Sequence, residues 1–215
     1  MKYNTVVFDL DGTLLNSLKD LMDSLNFSLT LHGFENKTLE QTRNYVGRGV
    51  GYLVHCALPQ GKDNPMYAQV VEDFKKDYSA NSARATKPYP QILELLKKLK
   101  EAGLHTAVVS NKYDSAVKKL CKLYFGDLID LATGETETIR RKPAPDSLLH
   151  TIEYFKTDKA HTLYVGDSDV DAHTAQNAGV NFVGVTWGFR TREDMTPFGA
   201  KVFIDKPLEL TALIK

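Results

Sequence analysis

The chain alternates short apolar, β-rich segments with helical stripes, and this alternation constrains its fold more than any other feature. The first segment, Thr5–Phe8, runs into Asp-Leu-Asp-Gly, and similar segments recur at residues 104–109, 128–132, 162–165, 181–185 and 201–204. Helical stripes separate most of them, such as residues 92–99 before Gly103 and 172–178 before Gly179. Strands and helices in alternation predict an α/β fold with a parallel sheet that helices cover on both faces.

Residues 16–85 break this alternation. Leu18, Leu21, Leu25 and Leu29 form a helical stripe, and further helical patterns follow at residues 39–46, 50–58 and 67–78. No convincing strand is apparent there, and the sequence Lys-Pro-Tyr-Pro at 87–90 cannot continue a helix. We therefore predict two domains, a core of residues 1–15 and 86–215 and an inserted α-helical domain of residues 16–85.

Charge and composition exclude several classes of function. Lys and Arg number 27, as do Asp and Glu, so the chain lacks the positive charge that generic nucleic-acid binding requires. No apolar run approaches the roughly 20 residues of a membrane span, and the beginning of the chain does not resemble a signal peptide. Cys56 and Cys121 lack metal-ligand spacing, and we interpret them as reduced thiols of a cytoplasmic protein.

Two carboxylates leave the end of the first predicted strand, in the motif Asp9-Leu10-Asp11-Gly12-Thr13. Like charges this close repel, so the pair needs a cation or a shared proton. A carboxylate can attack phosphorus, and a second one can act as acid and base. The alternative is a plain strand followed by an Asp-Gly turn.

Two further motifs are weaker when each is taken alone. Ser110 and Asn111 follow a predicted strand, where a hydroxyl and an amide can hold a phosphoryl oxygen, although a simple turn is the commoner use of such a pair. Lys142 precedes two prolines and a helix that Asp146 could cap. A fixed ammonium there could neutralise a nucleophile and phosphoryl oxygens, although a solvated basic loop is the alternative.

The last motif places Asp167, Asp169 and Asp171 after a strand and at the start of a helix. If the helix begins at Asp167 or just after it, Asp167 and Asp171 share one helix face. Oxygen ligands at this density suit Mg²⁺. An acidic first turn stabilised by the helix dipole is the alternative, and it explains one or two acids better than three.

Taken together and in this order, the four motifs resemble the haloacid dehalogenase-like phosphohydrolase superfamily. That family's motifs are Asp-x-Asp-x-Thr, a Ser or Thr after a strand, a Lys, and Gly-Asp-x-x-x-Asp. The resemblance implies a Rossmann-like parallel-sheet core with a small inserted α-helical cap, which would correspond to residues 16–85. It also implies a phosphatase, because the dehalogenases of the superfamily lack the second Asp of the first motif.

The resemblance further implies a role for each motif. Asp9 would be the nucleophile, Asp11 the general acid and base, and Lys142 the stabiliser of charge. The implied phosphate-binding residues are Thr13, Ser110 and Asn111. The implied ligands of Mg²⁺ are Asp9, the backbone carbonyl of Asp11, and Asp167, with Asp171 supporting the metal's water shell.

Local features are similar to those of phosphoglycolate phosphatases, namely Val46-Gly47-Arg48-Gly49, the Lys-Pro-Tyr-Pro segment and Thr186-Trp187-Gly188. Arg48 is then the candidate that binds a substrate carboxylate. The expected partner is a small phosphorylated metabolite, with no nucleic acid or membrane, and the expected assembly is a monomer or weak homodimer. Two alternatives stay open: a phosphosugar mutase or other phosphotransferase, and a non-catalytic phosphate-binding regulatory protein.

Overall fold

The computed structural model describes residues 2–214, so Met1 and Lys215, the ends of the predicted core, lie outside the described residues. The strands are β1 (Thr5–Phe8), β2 (Leu15–Asn16), β3 (Lys87–Pro88), β4 (His105–Tyr113), β5 (Leu131–Glu135), β6 (Thr162–Gly166), β7 (Asn181–Val185) and β8 (Phe203–Ile204). The α-helices are α1 (Leu18–Leu31), α2 (Leu39–Tyr45), α3 (Val50–Ala57), α4 (Tyr67–Asn81), α5 (Ile92–Glu101), α6 (Asp114–Phe125), α7 (Asp146–Tyr154), α8 (Asp169–Ala178), α9 (Arg192–Met195) and α10 (Leu210–Leu213).

Six strands form one parallel sheet in the order β5-β4-β1-β6-β7-β8. The central strand β1 is buried throughout, and its side chains alternate between two layers. Val6 and Phe8 pack in the layer that contains the apolar faces of α5 and α6, whereas Val7 packs in the layer that contains those of α7 and α8. This arrangement confirms the predicted α/β, Rossmann-like fold with helices on both faces.

Strands β4 and β5 differ most from the sequence-based prediction. β4 continues through Ser110, Asn111 and Lys112 instead of ending before them, because its pairing with β5 resumes at Tyr113 after a shift in register. The apolar run predicted as a strand at 128–132 begins in a 3₁₀ turn, Gly126–Leu128, and the strand starts only at Leu131. The first apolar side chains of that run pack against the core from the turn.

The chain divides into two compact units, Met1–Leu15 with Pro88–Lys215, and Asn16–Lys87. The second unit is helical: α1 buries Leu21, Leu25 and Leu29 at intervals of four residues, and α4 buries Val70, Phe74 and Tyr78 in the same way. Such stripes are the apolar faces by which helices pack. A cap function for this unit, whose predicted bounds were 16–85, stays a prediction.

Asp20 fastens the two ends of the helical unit together. Its buried carboxylate on α1 accepts hydrogen bonds from the backbone N–H groups of Ala85 and Thr86 and from the Thr86 hydroxyl, at 2.7–3.1 Å. Hydrogen bonds to a charged acceptor are the stronger kind, and the donors would have no partner of equal strength without it. The carboxylate thus links the first helix of the unit to its last residues.

We expect Asp20→Ala to lower the free energy of unfolding by about 2–4 kcal/mol, because it leaves buried backbone donors without their acceptor. Urea denaturation measures this change. Asp23→Ala is the matched control on the same helix. The side chain of Asp23 is 42% exposed and, among the ion pairs of residues 2–214, pairs with Lys19 one turn away, so this change should cost at most about 0.5 kcal/mol. Equal losses in the two variants would contradict the role given to Asp20.

Candidate active site

The predicted motifs meet at one edge of the sheet. Asp9 follows β1, Ser110 lies in β4 and Asp167 follows β6, and these three strands are neighbours in the sheet. The backbone N–H of Asp9 donates to the carbonyl of Val165 at 2.9 Å, which extends the pairing of β1 with β6 to Asp9. Ligands of open α/β sheets bind at this carboxyl edge. The fold therefore brings the motifs together as the sequence predicted.

Lys142 is the centre of the cluster. Its buried Nζ donates to Asp9 Oδ1 at 2.8 Å, to Asp171 Oδ1 at 2.7 Å and to the hydroxyl of Tyr164 at 3.0 Å. Burial alone would lower the pKa of Lys142, but the carboxylates of Asp171 and Asp9 raise it above its ordinary value. Lys142 is consequently a permanent cation between two acids.

The backbone of Lys142 is held by Asn111. The side-chain amide of Asn111 donates to the Lys142 carbonyl at 3.0 Å and accepts from the Lys142 N–H at 2.7 Å. This two-point contact fixes the lysine's loop to strand β4. The prediction that Asn111 binds phosphate stays a prediction, whereas its contact with Lys142 is a structural role that the sequence did not indicate.

The surroundings of Asp9 disfavour the charged form of its carboxyl group. Burial raises the pKa of Asp9 well above its ordinary value, Lys142 opposes that rise, and the nearby charges of Asp171 and Asp167 add to it. A buried carboxylate that is held by a lysine and crowded by two other acids is poised to interact with a further cation or an electrophile.

Asp167 is fixed by neutral donors. Its Oδ1 accepts from the Thr13 hydroxyl at 2.9 Å, and its Oδ2 accepts from the backbone N–H of Phe189 at 2.8 Å. Burial and the charge of Asp171 raise the pKa of Asp167 to about 7, although both hydrogen bonds act against this rise. The Thr13 hydroxyl thus contacts an acid of the site, and its predicted contact with phosphate stays a prediction.

Two glycines leave the space that Asp167 occupies. A Cβ at Gly12 would lie 2.2 Å from Asp167 Oδ2, and a Cβ at Gly188 would lie 2.3 Å from Asp167 Cβ. Gly12 also has a φ of +88°, which other residues adopt only with strain. The sequence Asp-Gly after β1 and Trp-Gly after β7 therefore has a local reason, since any side chain there would displace the acid.

Asp171 is the most enclosed of the acids. Its Oδ1 accepts from Lys142 and from Tyr164, and its Oδ2 accepts from the backbone N–H and hydroxyl of Ser168. Ser168 is the N-cap of α8, which begins at Asp169. Asp167 precedes the helix, because the Ser168 cap starts α8 two residues later, so the condition under which Asp167 and Asp171 would share a helix face is not met.

Lys112 holds the second acid of the first motif. Its Nζ donates to both carboxylate oxygens of Asp11, at 2.8 and 2.6 Å. The sequence alone indicates no role for Lys112, because the apolar run that predicts the strand ends before Ser110. Tyr164 was also missed, since a tyrosine inside an apolar strand looks like core until its hydroxyl is seen to reach Lys142 and Asp171.

Asp9, Asp167 and Asp171 each offer one carboxylate oxygen within 4.8 Å of the others. With Asp11 there are four carboxylates, and Lys112 and Lys142 balance two of them, so two negative charges stay uncompensated when all are ionised. One divalent cation would balance them. The donors are all oxygen atoms, as Mg²⁺ prefers, so the residues present fit this metal.

Two further predictions concern Arg48 and Asp146. Arg48 belongs to the helical unit, where its guanidinium lies 5.4 Å from the centre of the Tyr52 ring, and its predicted contact with substrate stays a prediction. Asp146 does not cap α7, because it is the first helical residue and Pro145 occupies the cap position. The carboxylate of Asp146 pairs with the guanidinium of Arg140 at 2.8 Å.

Comparison with known proteins agrees with this geometry. The family model described as haloacid dehalogenase-like hydrolase matches residues 6–185. The phosphoglycolate phosphatase of Rhodobacter capsulatus is 34% identical over 91% of this chain and 90% of its own, and that of Aquifex aeolicus is 33% identical over 97% and 95%.

A crystal structure from Lactobacillus delbrueckii subsp. bulgaricus, of a protein provisionally assigned as a phosphoglycolate phosphatase, superposes with a TM-score of 0.94. It is 33% identical and covers 100% of this chain and 99% of its own. Among residues 2–214, no helix has the length and apolar character that crossing a membrane requires. The chain belongs to the haloacid dehalogenase-like hydrolases, and within them it is a phosphoglycolate phosphatase-like phosphoric monoester hydrolase.

Proposed function

We propose that this phosphatase hydrolyses a small phosphorylated metabolite such as phosphoglycolate, with Mg²⁺ as cofactor and an aspartyl-phosphate on Asp9 as intermediate. The observation that supports it most directly is the arrangement around Asp9, whose carboxylate is held by Lys142 beside two further acids. A phosphate-binding regulatory protein would need the lysine but not a carboxylate aimed at the same place. The named relatives support the substrate class.

The reaction would proceed in two steps. A carboxylate oxygen of Asp9 forms a bond to phosphorus while the ester P–O bond breaks, and Asp11 gives its proton to the leaving alcohol. Asp11 then takes a proton from water while the water oxygen bonds to phosphorus and the P–O bond to Asp9 breaks, so that inorganic phosphate leaves and the Asp9 carboxylate is restored. Lys142 orients Asp9 and neutralises charge throughout. A phosphosugar mutase would instead return the phosphoryl group to a sugar.

The Mg²⁺ ligands in this proposal are Asp9, the backbone carbonyl of Asp11, and Asp167, with Asp171 one shell further out. Asp171 suits the outer position because Lys142, Tyr164 and Ser168 already donate to its oxygens. When bound, the metal would neutralise the repulsion between the nucleophile and the phosphoryl oxygens. Cys56 and Cys121 are free thiols, which supports the proposal of a cytoplasmic enzyme.

Asp9→Asn should lower kcat by several orders of magnitude, because an amide keeps the size of the side chain but cannot attack phosphorus. Phosphate release from phosphoglycolate measures this. Exposed Asp158, which pairs only with nearby His161 among the ion pairs described, supplies the control Asp158→Asn and should leave kcat unchanged. Retention of more than about a tenth of kcat by Asp9→Asn would rule out the covalent route.

Mg²⁺ should raise the melting temperature by several degrees, and by more at about pH 7.5 than at about pH 5.5. The raised pKa of Asp167 means that the metal-free folded state binds more protons than the unfolded state, so stability falls as pH rises from about 4 through about 7. The cation removes this loss only where Asp167 is ionised. Thermal melts with and without Mg²⁺ at both pH values measure the difference.

The matched variants for this test are Asp167→Asn, which should weaken the Mg²⁺ effect and reduce its pH dependence to the part that Asp9 supplies, and Asp158→Asn, which should keep both. Treatment with EDTA should also abolish turnover, and Mg²⁺ should restore it better than Ca²⁺, whose larger and looser coordination misplaces the reacting groups. An Mg²⁺ effect of equal size at both pH values, or full turnover by metal-stripped enzyme, would refute the proposed site.

Arg48→Ala should lower kcat/KM for phosphoglycolate by roughly 10- to 100-fold and leave p-nitrophenyl phosphate nearly unchanged, because only the first substrate has a carboxylate for a guanidinium. Gly47 and Gly49, both with positive φ, flank the residue and let the backbone approach a ligand closely. Exposed Arg84 of the same unit provides the control Arg84→Ala. Equal losses on both substrates would assign Arg48 a structural role instead.

A further inference from the structure

The two aspartates of the first motif each have a buried lysine of their own. Lys142 holds Asp9, and Lys112 holds Asp11 through both carboxylate oxygens at 2.8 and 2.6 Å. The side chain of Lys112 is only 5% exposed and that of Asp11 is 18% exposed. A buried ammonium is costly unless it is paired, so this contact is a built feature of the site and differs from a chance pair on the surface.

The fold directs Lys112 to this position. β4 continues past Ser110, and the backbone N–H of Lys112 donates to the Ser110 hydroxyl at 3.3 Å. The neighbouring strand β5 approaches closely at Gly134, where a Cβ would lie 2.6 Å from the carbonyl oxygen of Lys112. The backbone of Lys112 therefore belongs to β4 and packs closely against β5, and the side chain extends from this paired segment.

A general acid must meet the leaving oxygen within hydrogen-bonding distance, and a carboxylate that rotates freely spends little time there. Two donors from one ammonium restrict that rotation at Asp11. At Asp9 the corresponding hydrogen bond comes from a different lysine, Lys142. The geometry therefore separates the site into two pairs, one for phosphoryl transfer and one for proton transfer.

We propose that Lys112 is a positioning residue that holds the Asp11 carboxylate in place for proton transfer to and from the leaving group and water. The inference rests on the proposed function, in which Asp11 is the acid and base. It implies that the importance of Lys112 rises with the need of the leaving group for a proton. A direct contact between Lys112 and a substrate carboxylate is the rival explanation, and the choice of substrates distinguishes the two.

The test compares three substrates in wild type and Lys112→Met. Phosphoglycolate and ethyl phosphate release alkoxides that need a proton, and only the former has a carboxylate, whereas p-nitrophenyl phosphate releases a stable phenolate. We expect kcat/KM to fall by about 10- to 100-fold for both alkyl esters and by less than about 3-fold for p-nitrophenyl phosphate. Lys112→Gln, which keeps a neutral N–H donor on a side chain one bond shorter, should lose less than Lys112→Met on the alkyl esters.

Coupling to Asp11 supplies a second readout that a merely structural lysine would not give. Asp11→Asn should show the same dependence on the leaving group, and adding Lys112→Met to it should cost less than about 3-fold more, because residues that act as one unit are not additive. Lys118→Met is the control: this lysine is 62% exposed on α6, pairs with Asp114 one turn away, and should change no rate.

The outcomes separate the hypotheses. Equal losses on all three substrates, or fully additive losses with Asp11→Asn, would overturn the proposal in favour of a structural role. A loss confined to phosphoglycolate would overturn it in favour of substrate binding. If Asp11→Asn itself showed no dependence on the leaving group, the proposed function would fail before Lys112 was tested. If Lys112→Met does not fold, as thermal melts would show, Lys112→Gln decides by the same three comparisons.

Discussion

The site depends on one buried ammonium group. Lys142 lies between Asp9 and Asp171, with Tyr164 as a third partner, and none of these groups could be buried alone without a large cost in solvation. The positions of the other parts follow from this contact. Asn111 fixes the lysine's backbone, and the Ser168 cap fixes Asp171 at the start of α8. Removing the lysine would leave two acids facing each other without a cation.

The negative charge that remains around Lys142 supports the proposal of a metal at this site. Asp167 has its own donors in Thr13 and Phe189, yet its pKa still rises to about 7 because burial and the charge of Asp171 outweigh them. Gly12 and Gly188 leave the space that the Asp167 side chain occupies. In the proposed function, binding of a cation would offset the cost of burying these acids together.

The sequence predicted the parallel sheet and most of the site because both follow from local patterns. A buried strand that ends in Asp9 and another that ends in Asp167 must place both acids at one sheet edge if the strands are parallel neighbours. The role of Lys112 could not be derived in this way, since it depends on how far β4 continues, and that is decided by pairing with β5. Likewise, the partners of Tyr164 lie on other elements, and only the folded structure brings them to its hydroxyl.

The central claim is that the phosphoryl group passes through Asp9, and it can be tested by trapping the intermediate. Enzyme quenched during turnover of phosphoglycolate with Mg²⁺ is reduced with borohydride, which converts an aspartyl-phosphate to homoserine, and the peptide containing residue 9 is analysed by mass spectrometry. The account predicts homoserine at position 9 only when both substrate and Mg²⁺ are present. Homoserine at another aspartate, or none at all under steady turnover, would contradict it.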